Sequence, residues 1–127
     1  MGSLFDRLVF NDQQPVYQQI IAFIKQAVAA GELRQDDEIP SRRSLAAQLG
    51  INPMTVQKAY KLMEDEGLIR TQPNARSLIC VTERQRQAVR DELTRSEVAK
   101  FVRQARTLHL EFKDVVDLIS KLWDQDD

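Results

Sequence analysis

Met54, Gln57, Lys58 and Lys61 follow one another at offsets of three, four and seven residues from the first. On a helix, that spacing gathers them on one face. Their chemistry suits the edges and the backbone of a nucleic-acid duplex. The Gln57 amide can pair with adenine in a major groove, and the Met54 thioether can pack on a thymine methyl. Lys58 and Lys61 carry ammonium groups for phosphate, and Lys58 could also reach a guanine edge. Upstream stand Arg42 and Arg43. Arg43, one turn into its own helix, can fork onto a phosphate. The plainer reading of each residue is a solvated surface side chain.

Such a face needs a scaffold. Val56, Ala59, Tyr60 and Met63 recur on the other side of the same segment and predict a buried stripe, which makes Tyr60 a core residue. Asn52 is a good N-cap and Pro53 suits the first helical position, so a helix is predicted over 53–66, ended by Gly67. Ser41 caps a shorter helix before it, with Leu45, Ala46 and Leu49 inward and Gly50 as its stop. The N-termini at Ser41 and Asn52 would offer backbone N–H groups to phosphate. A first helix is predicted over 15–30, with Tyr17, Ile20, Ile21, Ile24, Ala27 and Val28 as its main stripe and Val16, Phe23 and Ala30 as a second. "GELRQDDEIP" reads as a loop. "GLIRT" and "SLICV" read as two strands joined across "QPNAR". Helix, short helix, tight turn "GIN", helix and hairpin together make a winged helix-turn-helix.

Charge supports this locally and not globally. The chain of 127 residues has a formal net charge of -1, so no overall field draws it to nucleic acid or membrane. From Ile39 to Met63, however, there are four basic residues and no acidic one. From Gly67 to Thr82, Arg70 and Arg76 are again unaccompanied by acids. In sequence the nearby carboxylates sit apart, in "DDE" at 36–38 and "EDE" at 64–66. Duplex DNA rewards Lys and Arg that replace its condensed counterions.

The stretch "IPSRRSLAAQLGINPMTVQKAYKLMEDEGLI" resembles the DNA-binding domain of GntR-family bacterial transcription regulators. The Pro-Ser pair, the arginine two residues after Ser41, "LA", "LG", "TV" and "EGLI" stand at the family's spacing. "NPMTVQKAY" is similar to the YtrA-like subfamily, whose recognition helix begins with Asn-Pro. The match is specific over 15–71. It implies a winged helix-turn-helix that binds operator DNA as a dimer, usually as a repressor, with contacts from Arg43, Thr55, Gln57 and Lys58. Arg42 lies where the family varies. The wing departs from the pattern, with "TQPNARS" where the family commonly has glycines, and Arg76 becomes the candidate for reaching a groove or phosphate.

Thr82 is placed to cap a long helix reaching about Leu108, closed at "LHLE" by His109. A last helix is predicted over 112–124. Val98, Phe101, Val102, Ala105 and Leu108 line the first, and Phe112, Val115, Val116, Ile119, Leu122 and Trp123 the second. Two helices cannot bury that surface by themselves, so residues 83–127 are expected to form a dimerisation appendage on a DNA-binding domain of residues 1–82. The fold class expected is mainly α with a small β-hairpin. Most GntR relatives carry a large effector domain, for which 83–127 is too short. A small-molecule effector, if there is one, would sit in a crevice.

Other functions find less support. The single cysteine, Cys80, excludes an internal disulfide and a multi-cysteine zinc site. His109 is the only histidine and has no partners at metal-ligand spacing. No catalytic constellation or glycine-rich phosphate loop stands out, so no enzyme activity, metal or cofactor is expected. No signal peptide or membrane-spanning run is read, and the cytoplasm is the expected compartment. The runner-up function is a winged-helix module that binds protein instead of DNA.

Overall fold

Apolar spacing after Pro15 produces the first long helix. In the computed structural model, which describes residues 3–125, α1 spans Val16–Ala29 and buries Ile20, Ile24, Ala27 and Val28. After a loop come β1 (Glu38–Ile39), α2 (Arg42–Leu49), α3 (Pro53–Asp65), β2 (Ile69–Thr71), β3 (Ser77–Ile79), α4 (Glu83–Thr107) and α5 (Phe112–Trp123). The chain divides after Asp91 into two compact units, and α4 runs through the division.

The first unit is the winged helix-turn-helix. Its caps are those its residue types favour. The Ser41 hydroxyl accepts from the Ser44 N–H at 3.1 Å, and Asn52 Oδ1 accepts from the Met54 N–H at 2.8 Å. Gly50 ends α2 at φ 66°, a left-handed conformation that lets the chain turn sharply into α3. Val56, Ala59, Tyr60 and Met63 of α3 are fully buried, joined by Ile20 and Ile24 of α1 and Leu45 of α2. This core fixes which face of α3 points outward.

Two features depart from the sequence reading. "GELRQDDEIP" is not only loop. Glu38 and Ile39 form β1, antiparallel to β3 with Glu38 opposite Leu78 and Ile39 opposite Ser77, so the sheet order is β1-β3-β2. A two-residue strand has no periodicity to detect, and its pairing exists only once β3 is in place. The second feature is a 3-10 turn at Leu4–Arg7, closed by a capping box between Ser3 and Asp6. It buries Phe5, whose ring lies 5.4 Å from that of Phe23. Phe23 and Val16 of the second α1 stripe therefore pack on the core of their own chain, while Ala30 is exposed.

The hairpin connection turns through Pro73 and Asn74. The Ala75 N–H donates to the Gln72 carbonyl at 2.8 Å, and the Gln72 N–H to the Arg76 carbonyl at 2.7 Å. Ala75 takes φ 66°, the left-handed position that glycine usually fills in such loops. At the root of α4, Thr82 and Gln85 exchange a capping box at 2.8 and 3.1 Å. Arg86 donates from Nε and Nη2 to the carbonyls of Val28 and Ala29, at 3.1 and 3.0 Å, which caps the end of α1.

The second unit holds the rest of α4 and all of α5. His109 turns the chain between them at φ 57°, and the Leu110 N–H donates to the Ala105 carbonyl at 3.0 Å. Neither helix buries a residue. Val98, Phe101, Val102, Leu108, Phe112, Val116, Ile119, Leu122 and Trp123 are exposed, Trp123 by 83%, while Ala105 and Val115 are half-buried. Among the described residues, no helix is long and apolar enough to cross a membrane.

Candidate nucleic-acid interface

Because α3 buries one stripe completely, its opposite stripe is presented as a set. Met54 is 71% exposed, and Gln57, Lys58 and Lys61 are exposed beside it. Thr55 is half-buried at the edge of this face. The turn through Gly50 brings the start of α2 next to α3 in the same subdomain, so Ser41, Arg42 and Arg43 belong to the neighbouring helix end. The two helix N-termini differ. In α3, Pro53 has no N–H, and the amides of Met54 and Thr55 are bonded to Asn52. In α2, the Ser41 cap takes the Ser44 amide, and among the described residues no acceptor meets the amides of Arg42 and Arg43. Backbone binding of an anion is thus open at α2 and closed in the first turn of α3.

The cations are held in distinct ways. Arg43 is exposed, and among the described residues its side chain enters no hydrogen bond or ion pair. The Lys58 ammonium sits 4.1 Å from the centroid of the Tyr17 ring, a cation–π contact that holds it at the edge of the α3 face while leaving its charge unneutralised. Arg42 is only 26% exposed at its side chain. It lies over the Tyr60 ring at 5.4 Å, pairs with Glu64 and reaches Thr71 Oγ1 at 3.4 Å, so it ties α2 to α3 and to the end of β2. Lys61 pairs with Asp65 at 2.9 Å, Arg70 with Asp36 at 2.7 Å and Arg76 with Glu38 at 2.9 Å.

These pairs correct the impression of acid-free surfaces. Asp65 lies one helical turn from Lys61, while Asp36 and Glu38 are remote in sequence and return in space, each to a different cation. Arg76 lies 38 residues from Glu38, and Arg70 lies 34 from Asp36, so no local pattern could reveal either pair. The hydrogen bond from Arg76 holds the Glu38 carboxyl below its ordinary pKa, and the same bond raises that of Arg76. The bond from Lys61 to Asp65, followed by their mutual attraction, raises the Lys61 pKa. Burial pushes the Tyr60 phenol far above the usual tyrosine value, against a smaller lowering effect of Arg42. Sequence reading named Tyr17 only as core and Asp36, Glu38 and Glu64 only as acids set apart, and missed their contacts with Lys58, Arg70, Arg76 and Arg42.

This geometry has known relatives. Residues 16–79 match the family described as bacterial regulatory proteins, gntR family. The chain belongs to the GntR family. Within it, the chain is 31% identical over 108 residues to the uncharacterized HTH-type transcriptional regulator YhcF of Bacillus subtilis, covering 85% of this chain and 89% of that one. It is 46% identical over 57 residues to the HTH-type transcriptional repressor YtrA of the same organism, covering 45% of this chain and 44% of YtrA. A solved GntR family transcriptional regulator from Listeria monocytogenes shares the fold, with a TM-score of 0.78 at 24% identity over 88% of this chain and 98% of that one. The GntR likeness of fold therefore extends past the winged unit into the C-terminal helices. A YtrA-like GntR regulator with a glycine-poor wing describes the molecule.

Proposed function

We propose that the chain is a transcription repressor that binds double-stranded operator DNA as a homodimer. In this reading α3 enters the major groove and presents Met54 and Gln57 to base edges. Lys58, and Lys61 once Asp65 has released it, meet phosphates. The free amides at the Ser41 end of α2 take a phosphate together with Arg43. Asn52 caps α3, Thr55 approaches the duplex at the edge of the helix, and Arg76 reaches it from the wing. Arg42 serves chiefly as a strut beside Tyr60, and contacts DNA only if it leaves Glu64.

One observation carries the reading. The single exposed face of α3 gathers an amide, a thioether and two ammonium groups, and its opposite face is entirely buried. Solvation alone does not require an exposed Met54 at the N-terminal end of such a face. The similarity to YtrA, named as a repressor, supports the sign of regulation.

The DNA-binding domain of residues 1–82 and the dimerisation region of 83–127 divide the work. One recognition helix spans only a few base pairs, so two are needed, about one helical turn or a multiple of it apart. The exposed stripe from Val98 to Leu108 and the face from Phe112 to Trp123 supply the apolar surface for a two-fold contact. The protein acts by binding, without catalysis, in the cytoplasm where its DNA lies.

Selection of duplexes from a random pool by the purified full chain tests this. A pseudo-palindromic consensus is expected, with affinity that falls steeply as salt rises, by a slope near 0.9 per phosphate neutralised. Recovery of no consensus and a salt-independent interaction with protein would favour a winged-helix protein-interaction module.

A further inference from the structure

The wing arginines are not free. Arg70 and Arg76 stand at the two sides of the hairpin, and each is held by a carboxylate from the segment at β1. Asp36 Oδ1 lies 2.7 Å from Arg70 Nη2, and Glu38 Oε1 lies 2.9 Å from Arg76 Nη2. The sheet fixes the backbone that carries these carboxylates. The Asp36 N–H donates to the Ile79 carbonyl at 2.9 Å, and the Ile79 N–H donates to the Asp37 carbonyl at 2.8 Å. Asp36 accepts a left-handed backbone, φ 70°, in that position. The segment at β1 therefore does more than extend the sheet: Glu38 within the strand and Asp36 just before it lie along the wing.

We propose that Asp36 and Glu38 are specificity-determining residues, which withhold Arg70 and Arg76 from non-cognate DNA and release them to phosphate on the operator. The proposal rests on the operator-binding reading above. Its physics is a competition. All four side chains are roughly half exposed, and ion pairs at that exposure are weak and readily exchanged. A phosphate held close by a seated α3 can displace a carboxylate. A duplex that α3 does not fit stays too loosely placed to do so. Non-specific affinity comes almost wholly from the number of phosphates neutralised, so each arginine withheld lowers it. On the operator, where the pair has already opened, the same arginine is counted in full. The depressed Glu38 carboxyl and the strengthened Arg76 guanidinium are what a closed pair in the DNA-free state requires.

The test compares the full chain with Glu38→Gln and Asp36→Asn, isosteric changes at exposed positions. The probes are a duplex selected from a random pool by the wild-type chain and a scrambled duplex of equal length, titrated at several salt concentrations. Each variant is expected to bind the scrambled duplex about threefold more tightly, and the salt slope there should steepen by about 0.9. The slope on the selected duplex should not change. In an Arg76→Ala background, Glu38→Gln should have no effect on either duplex. If Glu38→Gln acts equally with and without Arg76, the carboxylate works by general repulsion and the clamp is overturned. Unchanged binding of the scrambled duplex by both variants also overturns it, and leaves operator binding intact. Failure of the wild-type chain to select any duplex removes the operator-binding reading and the clamp together.

Discussion

The phenol of Tyr60 donates a 2.6 Å hydrogen bond to the carbonyl of Pro40. Tyr60 lies in the middle of α3, fully buried, and Pro40 immediately precedes the Ser41 cap of α2. The bond thus pins the start of one short helix to the body of the next, and Arg42 covers the same ring. The helix that faces outward and the helix end that offers free amides are held in one register by a residue that meets no ligand.

Tyr60→Phe keeps the packing and leaves the Pro40 carbonyl without its partner. Chemical denaturation followed by circular dichroism should show a loss of about 1 kcal/mol. The phenol also sets an alkaline limit. Its folded pKa is raised, so the group has no effect on stability while both states are neutral. Stability falls once pH passes the unfolded value of about 10, because the unfolded chain then loses its proton first. In a Tyr17→Phe background, phenolate absorbance should appear together with loss of helical signal. Phenolate formation in a chain that is still folded would contradict the burial argument.

Arg42 and Arg43 are adjacent but should behave oppositely. Arg42→Ala removes the stack on Tyr60 and the pair with Glu64, and should lower unfolding stability by roughly 1 kcal/mol. Arg43→Ala touches nothing within the fold and should stay within about 0.5 kcal/mol of the parent. It should instead weaken DNA binding, with a salt slope smaller by about 0.9. Thermal melts and DNA titrations of both variants separate the roles, and a stability loss confined to Arg43→Ala would reverse them.

On α3 the division is between reading and anchoring. Gln57→Ala should relax preference at one operator position, by roughly 1–3 kcal/mol of discrimination. Lys61→Ala should weaken all sequences alike. Its effect should be smaller than that of a free lysine, since Asp65 already competes for the ammonium. Selection experiments with each variant, scored position by position, give the comparison. Identical consensus changes in the two would abolish the distinction.

The C-terminal helices should carry the dimer. A chain ending at Asp91 keeps the winged core and the Arg86 bonds to α1. It should sediment as a monomer and bind a palindromic duplex far more weakly than the full chain, with little change on a half-site. In the full chain, Trp123 is the only tryptophan and is exposed. Its emission should shift to the blue as concentration rises and the dimer forms. A truncated chain that stays dimeric would move the interface elsewhere, and Val16 and Phe23 are poor replacements because they already pack on the core.

Local rules were enough to read most of the elements. Ser41, Gly50, Asn52, Pro53 and Gly67 mark helix ends through backbone preferences that act within a few residues. Val56, Ala59, Tyr60 and Met63 mark the inner face of α3 by a period the helix itself imposes, and that assignment leaves Met54, Gln57 and Lys58 outward. The Thr82 cap and the turn at His109 were legible for the same reason, whereas the part of Gln85 in that cap was not read. Tertiary structure alone decided what meets across long gaps of chain. β1 exists because Ile39 finds Ser77, and Phe5 is core because Phe23 lies above it. Glu38, Asp36, Glu64 and Tyr17 reach Arg76, Arg70, Arg42 and Lys58 only after the sheet and the three helices have packed. Charge acts through space, so counting it along the chain found the cations and the acid clusters but not which acid meets which cation.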